Sequence, residues 1–433
     1  MLPNPAIVLG LMFLLLVLYL LTNMGDEVSV ALFIGSLAIL YLIAYGFKIS
    51  LTYSPDADII LIEWVEPAVM LFLLLRMIMI ESVKGTGLFD YITLKLLKLT
   101  GDNPLKLWIA IAILTHFLAI LTGQVTAILI VGTIIVVMGK VLNLNIAPFL
   151  VGAALVSTIS TGGLLTTDVT NIVLAFTFNI SFVEYATIFF PVTFTIVLAY
   201  TFLIRREFRD EMIPKEKINV VVLKTIDPWI AVENKRDFYI GANIIIFSTI
   251  GYFIADPLLV SLIFAILSLI LLKREPQKIF LKLQWDVLFI VASLILLTNA
   301  MNYVGTTVFI KELIEVVAAT GMFPYIIGII MSIVSLVMDN TAAFLLIRNA
   351  LFDVLKKNRA LLVSTLICAH IGNYTGNIFI PVFSPELLLA RNMVKENQPQ
   401  NMFSNKRYYK LIMKIYPLTF AIIYCWVSFY LLF

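Results

Sequence analysis

The sequence predicts an all-α polytopic membrane protein, with about ten transmembrane helices, two re-entrant helical hairpins and two inverted repeats that contain broken helices. Three observations support this fold class. The 433 residues are 61% hydrophobic and 13% charged, which is about half the charged fraction of a soluble protein. Apolar runs long enough to cross a bilayer recur from Ala6 to the C-terminus. Similar polar interruptions occur in the same order in both halves of the chain.

The apolar runs predict ten spans, and two longer apolar blocks predict the hairpins. The spans cover 6–22, 28–46, 59–80, 147–178, 183–204, 237–254, 256–272, 284–303, 360–391 and 411–433. Blocks 105–140 and 322–356 each predict two helices around a polar break, whereas 81–104 and 304–321 are amphipathic or loop segments. Residues 1–22 lack the basic segment and the cleavage site of a signal peptide, so we interpret them as a retained span.

The positions of the basic residues predict the orientation of the chain. With the N-terminus outside, most of the 30 Lys and Arg residues fall in loops on the cytoplasmic side. The positive-inside rule therefore predicts a multi-pass protein of the plasma membrane with both termini outside. The net charge of +3 gives no reason to expect a nucleic-acid partner, and the predicted surroundings are the lipid bilayer.

Four features recur in the same order in the two halves. Each half has a tryptophan at the start of a long span, then Gly-Thr, then a polar break in an apolar block, then a polar cluster. They are Trp64, Gly85-Thr86, Thr126 and 157–171 in the first half, and Trp285, Gly305-Thr306, Thr341 and 370–386 in the second. Because the predicted topology starts the two tryptophan spans on opposite sides, the repeats would be inverted, as in many secondary transporters whose substrate binds near the midplane.

These repeats divide the chain into five parts. The predicted parts are N-terminal scaffold spans (1–58), repeat 1 (59–206), a cytoplasmic loop (207–236), linking spans (237–282) and repeat 2 (283–433). Each repeat is expected to hold a scaffold span, a hairpin and a broken helix.

Polar residues inside the apolar segments are the candidates for binding a substrate or ion. Irregular backbone is not tolerated against lipid, so we expect Gly162-Gly163, Gly372, Gly376, Pro381 and Pro385 to break helices that are buried or line a cavity. For any single Ser or Thr, helix–helix packing is the alternative role. The candidates are Thr122, Gly123, Gln124, Thr126, Ser160, Thr161, Gly162, Gly163, Thr167, Asp168, Asn171, Asp339, Asn340, Thr341, Gly372, Asn373, Thr375, Asn377 and Ser384.

Three ionisable residues are candidates for proton coupling, namely Asp168, Asp339 and His370. Ionisable groups inside the membrane are costly and are usually retained for function. Asp339 could also cap a helix that starts at Asn340 or Thr341. His116 is expected to be a packing residue.

Other ionisable residues are expected to have simpler roles. Glu66 should lie at a span end, exposed to lipid headgroups. Arg76 should reach the interface or pair with Glu81. Cys368 could offer a thiolate to a soft ion, although an ordinary buried thiol is the simpler interpretation.

Several segments resemble the arsenite permease and sodium–proton antiporter branch of the ion transporter superfamily. In the first half they are IEWVEPAVML from Ile62, NLNIAPFLVGAALVSTISTGG from Asn143, and Asp168 to Asn171. In the second half they are LQWDVLFIVASLILL, SLVMDNTAAF and GNYTGNIFIPVFSPELLL. The chain departs from the family at the first hairpin tip, where Thr122 to Thr126 include no carboxylate.

The resemblance implies a scaffold and a mobile transport domain, with substrate between the two hairpin tips. It also implies a homodimer, elevator-like motion, and Na⁺ or H⁺ as a coupling ion without a cofactor or resident metal. Substrates in the superfamily include arsenite or antimonite, Na⁺ and H⁺, carboxylates and sulfate.

The sequence therefore predicts a secondary active transporter of a small inorganic or organic ion, first of all an arsenite-like hydroxide exchanged for H⁺. A Na⁺/H⁺ antiporter or a carboxylate or sulfate carrier is the alternative. We do not expect an enzyme, because the chain has no HExxH, no GxSxG and no cluster of metal ligands.

Overall fold

The computed structural model describes most of the chain and shows an almost entirely helical protein. The described residues are 3–22, 26–100, 103–213, 227–318, 320–336, 338–355, 358–380, 384–402 and 404–432. They form 21 α-helices, two short 3₁₀ turns and one parallel pair of two-residue strands, β1 (Ile49–Ser50) and β2 (Ile59–Ile60). The predicted all-α class is confirmed.

The first eleven helices include a hairpin and a broken helix. They are α1 (Pro5–Thr22), α2 (Glu27–Tyr45), α3 (Leu61–Trp64), α4 (Pro67–Lys84), α5 (Leu88–Thr100), α6 (Pro104–Thr122), α7 (Gln124–Leu142), α8 (Ala147–Thr161), α9 (Val169–Phe178), α10 (Phe182–Glu207) and α11 (Arg209–Met212).

The remaining ten helices come after residues 214–226, which lie outside the described residues. They are α12 (Lys235–Ile254), α13 (Pro257–Leu271), α14 (Pro276–Phe280), α15 (Trp285–Tyr303), α16 (Val308–Ala318), α17 (Phe323–Val334), α18 (Asn340–Leu355), α19 (Arg359–Asn377), α20 (Pro385–Asn397) and α21 (Asn405–Leu432).

Helix starts follow local capping chemistry. Asn103 accepts hydrogen bonds from the first-turn amides of α6, and Pro104 follows it. Asp256 does the same for α13, again with a proline next. A side-chain oxygen satisfies amides that lack a helical partner, while proline has no amide to satisfy.

Helices α4 to α10 and α15 to α21 follow the same order. Each set has a long helix, a short helix, a pair of helices around a tight break, a broken helix and a long final helix. This order matches the two repeats in the sequence. The inverted orientation and re-entrance of the hairpins are defined relative to a membrane and stay predictions.

Within the described residues, six helices are long and apolar enough to cross a bilayer: α2, α6, α10, α12, α15 and α21. Shorter apolar helices accompany them, including α1, α7, α8, α9, α13 and α17. The structure supports a multi-pass protein, and the exact number of spans stays a prediction.

One predicted span starts later than expected. Residues 59–66 do not begin a long helix, because β2 and the short helix α3 occupy this segment and Glu66 has a left-handed backbone with φ of 54°. Pro67 disfavours a helical conformation in the residue before it, so α4 starts only at Pro67. Trp64 therefore ends α3 instead of starting a span.

The two broken helices lie at the centre of the molecule. Every residue of α8 is buried, and this helix contacts α6, α7, α10 and α20. Helix α19 is buried from Ser364 to Asn377 and contacts α17 and α21. The first break follows Thr161 and includes Gly162-Gly163, as predicted.

Two predicted helix breakers do not break a helix. Helix α19 runs without interruption through Gly372 and Gly376 and ends at Asn377. The two glycines instead allow the backbones of α19 and α17 to touch. A Cβ atom at Gly372 would lie 2.4 Å from the carbonyl oxygen of Gly328, and one at Gly376 would lie 2.2 Å from that of Ser332. Pro381 lies outside the described residues.

We predict that Gly372→Ala destabilises the protein, because its methyl group would overlap a backbone oxygen that cannot turn away. The expected loss is about 1–3 kcal/mol, the usual range for overpacking. Thermal unfolding of the detergent-solubilised protein measures it. Gly35→Ala is the matched control, since a Cβ atom there would make only ordinary contacts at 3.6 Å. An equal effect of both substitutions would contradict the packing role of Gly372.

Candidate transport site

The starts of two helices from different repeats meet at a pair of threonines. Asp168 caps α9, and its Oδ1 accepts from the Thr170 amide at 2.9 Å. Asp339 caps α18, and its Oδ1 accepts from the Thr341 amide at 2.8 Å. The Thr170 and Thr341 hydroxyl oxygens lie 3.3 Å apart. We call Asp168, Thr170, Asp339 and Thr341 the junction.

The junction combines partial positive charge with two carboxyl groups. A helix N-terminus carries about half a positive charge, and an acidic cap offsets it. Both threonines are buried, whereas Asp339 is exposed. Solvent therefore reaches the Asp339 carboxyl beside a buried hydroxyl pair, and Asp168 is half-buried. The capping role predicted for Asp339 is confirmed, and its role in coupling stays a prediction.

Helices α9 and α18 run side by side away from the junction. Thr177 lies seven residues after Thr170, and Arg348 lies seven residues after Thr341. The Arg348 Nη1 atom is 3.5 Å from Thr177 Oγ1. Seven helical residues span about 10 Å. The two helices therefore run in the same direction and stay close over this length.

Asn171 holds the first helix break together. Its Nδ2 lies 2.7 Å from the Thr161 carbonyl oxygen, 2.6 Å from that of Leu164 and 2.8 Å from Thr167 Oγ1. Its Oδ1 accepts from the Tyr374 hydroxyl at 3.0 Å. Asn171 thus replaces hydrogen bonds that the break removes from the backbone, and Tyr374 ties this arrangement to repeat 2.

The tip of the first hairpin lies against the same break. Gly123 separates α6 from α7 with a φ of 87°, a conformation that suits glycine. The Thr161 hydroxyl reaches Gln124 Oε1 at 3.4 Å. Arg76 donates to the Leu121 carbonyl at 2.9 Å and approaches the Thr166 carbonyl at 3.4 Å.

Arg76 was expected to reach the interface or to pair with Glu81, and this expectation is wrong. Glu81 pairs with Lys84 at 3.1 Å. The buried Arg76 side chain donates to carbonyl groups that have no helical partner, so it connects α4 to the hairpin tip and to the break.

The second polar cluster reaches both repeats. His370 Nε2 lies 2.8 Å from the Tyr185 hydroxyl of repeat 1. Asn373 donates to the Asn340 carbonyl at 2.8 Å, which fixes α19 to the start of α18. Asn340 Oδ1 accepts from Ser335 at 3.0 Å.

The other predicted site residues are near these groups but mostly make local contacts. The hydroxyls of Thr122, Ser160 and Thr375 donate to carbonyls four residues earlier in their own helices. The remaining residues are Thr126 in the first turn of α7, Gly162 and Gly163 in the break, Gly372 and Asn377 in α19, and Ser384 before α20. His116 packs among aromatic rings and contacts Ser160 at 2.8 Å, in agreement with its predicted packing role.

Sequence reasoning missed a buried ion pair. Arg348 on α18 pairs with Glu66 before α4, and its Nη2 also lies 3.0 Å from Asn299 Oδ1 on α15. The Arg348 side chain is 3% exposed and that of Glu66 is 25% exposed. The expectation that Glu66 faces headgroups is therefore wrong. Arg348 interrupts the apolar block 322–356, so the criterion that selected Asp339 would also have selected it.

A cleft of about 460 Å³ opens at this ion pair. The start of α4, the end of α9 and parts of α15 and α18 line this cleft. Its polar lining residues are Glu66, Thr177, Asn299, Arg348 and Asn349. The cleft lies beside the paired helices α9 and α18, about two turns from the junction.

Glu386 is a second residue that sequence reasoning did not select. It lies at the start of α20, is fully buried, and accepts hydrogen bonds from Ser384 and from Thr158 of α8. The presence of a carboxyl group in the polar cluster 370–386 is the signal that could have identified it.

We predict that the Arg348–Glu66 pair stabilises the contact of α18 with α4 and α15. Glu66→Gln leaves a buried guanidinium without its counter-charge and should lower stability by about 3 kcal/mol, as for broken buried pairs. The double variant Glu66→Gln/Arg348→Met should recover part of this loss. Thermal unfolding in detergent of the wild type, Glu66→Gln, Arg348→Met and the double variant measures the coupling energy between the two side chains.

Lys311→Met is the control for this cycle. It removes an exposed ion pair to Asp353 of the same helix α18, and exposed pairs contribute little. Additive effects of the Glu66 and Arg348 substitutions would show that the two side chains do not stabilise each other.

Comparisons with known proteins agree with this architecture. The family described as "Citrate transporter" (CitMHS) matches residues 2–359. A "46 kDa membrane protein" of Mycobacterium leprae is 24% identical over 240 residues, which are 53% of this chain and 55% of that protein. An "Arsenical pump membrane protein" of Escherichia coli is 23% identical over 255 residues, 56% of this chain and 58% of the relative. The chain thus spans about half the length of these curated relatives.

A solved structure shows that the whole fold is shared. The YdaH transporter of Alcanivorax borkumensis superposes with a TM-score of 0.60 at 12% identity, over 99% of this chain and 98% of that one. The predicted resemblance to the ion transporter superfamily is confirmed. Since the family match covers most of its length, this chain belongs to the citrate transporter family of membrane transporters.

Proposed function

We propose that this membrane protein is a secondary active transporter that binds a small oxygen-rich solute at the junction and moves it by alternating access. The observation that carries the proposal is the meeting of two helix N-termini, one from each repeat, at Thr170 and Thr341. Broken helices whose ends meet near the centre of the fold are the usual binding site in such transporters. The hydroxyls and amides there can bind oxygen atoms.

The charges at the junction disfavour an anionic solute and are compatible with a neutral one. The two helix N-termini together supply about one positive charge, whereas ionised Asp168 and Asp339 would supply two negative ones. An arsenite-like hydroxide carries no charge and can donate to carboxylates while it accepts from hydroxyls. The similarity to arsenical pump membrane proteins supports this substrate class.

A citrate-like carboxylate is the second candidate, and the description of the family favours it. A multiply charged anion at the junction would meet two like-charged side chains. It would therefore have to bind with a cation between itself and the carboxylates, or with those carboxyl groups protonated.

The motion would separate two groups of helices. In this proposal α2, α4, α13 and α15 form the scaffold, while the hairpins and broken helices move in an elevator-like way. The Arg348–Glu66 pair and the Arg76 hydrogen bonds connect the groups and would have to rearrange. A homodimer in the plasma membrane, with both termini outside, completes the proposal.

Uptake into proteoliposomes tests the substrate. We expect a pH gradient to drive the uptake of arsenite, and citrate to be taken up only when a cation or protonation neutralises the junction carboxylates. The variant Thr170→Val/Thr341→Val should lose this uptake because the hydroxyl pair is gone.

Transport of Na⁺ against H⁺ alone would indicate the antiporter alternative. Single-channel currents would contradict alternating access.

Asp339→Asn tests the coupling role of the exposed junction carboxyl. Asparagine keeps the helix cap but cannot take up a proton, so we expect normal folding and the loss of uptake driven by a pH gradient. Asp256→Asn, which changes the cap of α13 far along the chain, should transport normally. Full coupled activity of Asp339→Asn would limit Asp339 to capping.

A further inference from the structure

Within the part of the chain that the structure describes, Glu386 is a buried carboxyl group without a cationic partner. It is the second residue of α20, has no exposed surface, and lies where α20 packs on α7 and α8 of the other repeat. Among the described residues, no Lys, Arg or His side chain forms an ion pair with it. An ionised carboxyl in such a place is costly, and a proton removes that cost.

The two oxygens of Glu386 have different surroundings. Oε1 is the acceptor for the hydroxyls of Ser384 and Thr158. Oε2 is buried and has no hydrogen-bond partner among the described residues. The two hydroxyl donors can stabilise an ionised Glu386 for part of a transport cycle. Oε2 receives no hydrogen bond, so the ionised carboxylate is only partly stabilised.

Thr158 can serve both protonation states of Glu386. Its hydroxyl lies 3.0 Å from the Ala154 carbonyl oxygen of its own helix and also contacts Glu386 Oε1. When Glu386 is ionised, Thr158 donates its single hydrogen to the carboxylate. When Oε1 carries a proton, Glu386 donates to Thr158, which turns its hydrogen to Ala154. The exchange needs only the rotation of a hydroxyl group.

Two titratable groups on other elements have an electrostatic relation to Glu386. Asp168 of the junction acts on it only weakly, and Glu386 acts on Tyr408 of α21. Helix α8 carries no titratable side chain, α7 carries Lys140 near its far end, and α20 itself carries Arg391, Lys395 and Glu396. Two like charges at Glu386 and Asp168 would oppose each other, so a proton on one makes the charge on the other less costly.

We propose that Glu386 is a proton-binding residue of the transport cycle, held between the two repeats by Thr158 and Ser384. This inference rests on the proposed transport function, to which it adds a proton site outside the junction. The proton binds to a carboxylate oxygen in one conformation and leaves to water in another, so no further reactant is needed.

Infrared difference spectroscopy of the purified protein between acidic and alkaline pH tests proton binding without any solute. The wild type should show the carbonyl band of a buried carboxylic acid, and Glu386→Gln should lose it. Glu396→Gln, an exposed carboxyl on the same helix, should keep it. An unchanged band in Glu386→Gln would overturn the proposal.

Transport assays test the role of this proton in the cycle. Glu386→Gln, which imitates the neutral acid, should keep solute counterflow and lose accumulation driven by a pH gradient. Accumulation equal to that of the wild type would overturn the proposal. If the wild type transports none of the tested solutes, the function proposed above fails, while the infrared result still decides whether Glu386 binds a proton.

A second pair of variants covers the case in which Glu386→Gln does not fold. Thr158→Val removes one donor from the carboxylate, so the infrared pH profile should move to higher pH. Thr158→Ser keeps the hydroxyl and should retain the wild-type profile. Identical profiles for Thr158→Val and Thr158→Ser would contradict the proposed role of this hydroxyl and, with it, the proton site.

Discussion

Where a helix is interrupted, its free backbone N–H and C=O groups need hydrogen-bond partners from the protein, because lipid hydrocarbon offers none. This constraint explains the most polar side chains of the interior. Asn171 binds two carbonyl groups at the first break, and Arg76 binds one carbonyl there and one at the tip of the first hairpin. Tyr408 binds the Ile378 carbonyl at the second break. These polar side chains are therefore a consequence of the interrupted helices, and the first broken helix and the second hairpin each place one N-terminus at the junction.

Each broken helix packs against helices of the other repeat. Helix α9 of repeat 1 packs on α18 of repeat 2, and α20 of repeat 2 packs on α7 and α8 of repeat 1. Hydrogen bonds from Tyr374 to Asn171 and from Thr158 to Glu386 also join the two repeats. A change in the position of one hairpin must therefore alter the surroundings of the other repeat, which is the coupling that alternating access requires.

The two halves share helix order but differ in charge. The tip of the first hairpin carries glycine and an amide at Gly123 and Gln124, whereas the second carries Asp339. The start of α9 is capped by Asp168, whereas Glu386 lies two positions beyond the N-cap residue of α20 and is completely buried. The solvent-exposed and the fully buried carboxyl thus both belong to repeat 2, where they offer one group open to water and one shielded from it.

The sequence alone determined the all-α class, the order of the helices and most of their bounds, because apolar runs and capping residues act within a few turns of the chain. It also selected Asp168, Asn171, Asp339 and Thr341 as candidates, since a polar residue in an apolar run can be recognised from the sequence alone; their role in binding stays a prediction. Only the tertiary structure decided that Gly372 packs instead of breaking α19, that Glu66 pairs with Arg348, and that no described residue supplies a counter-charge to Glu386. Each of these depends on which groups from distant parts of the chain come within contact distance of one another. Local sequence patterns do not determine such long-range contacts.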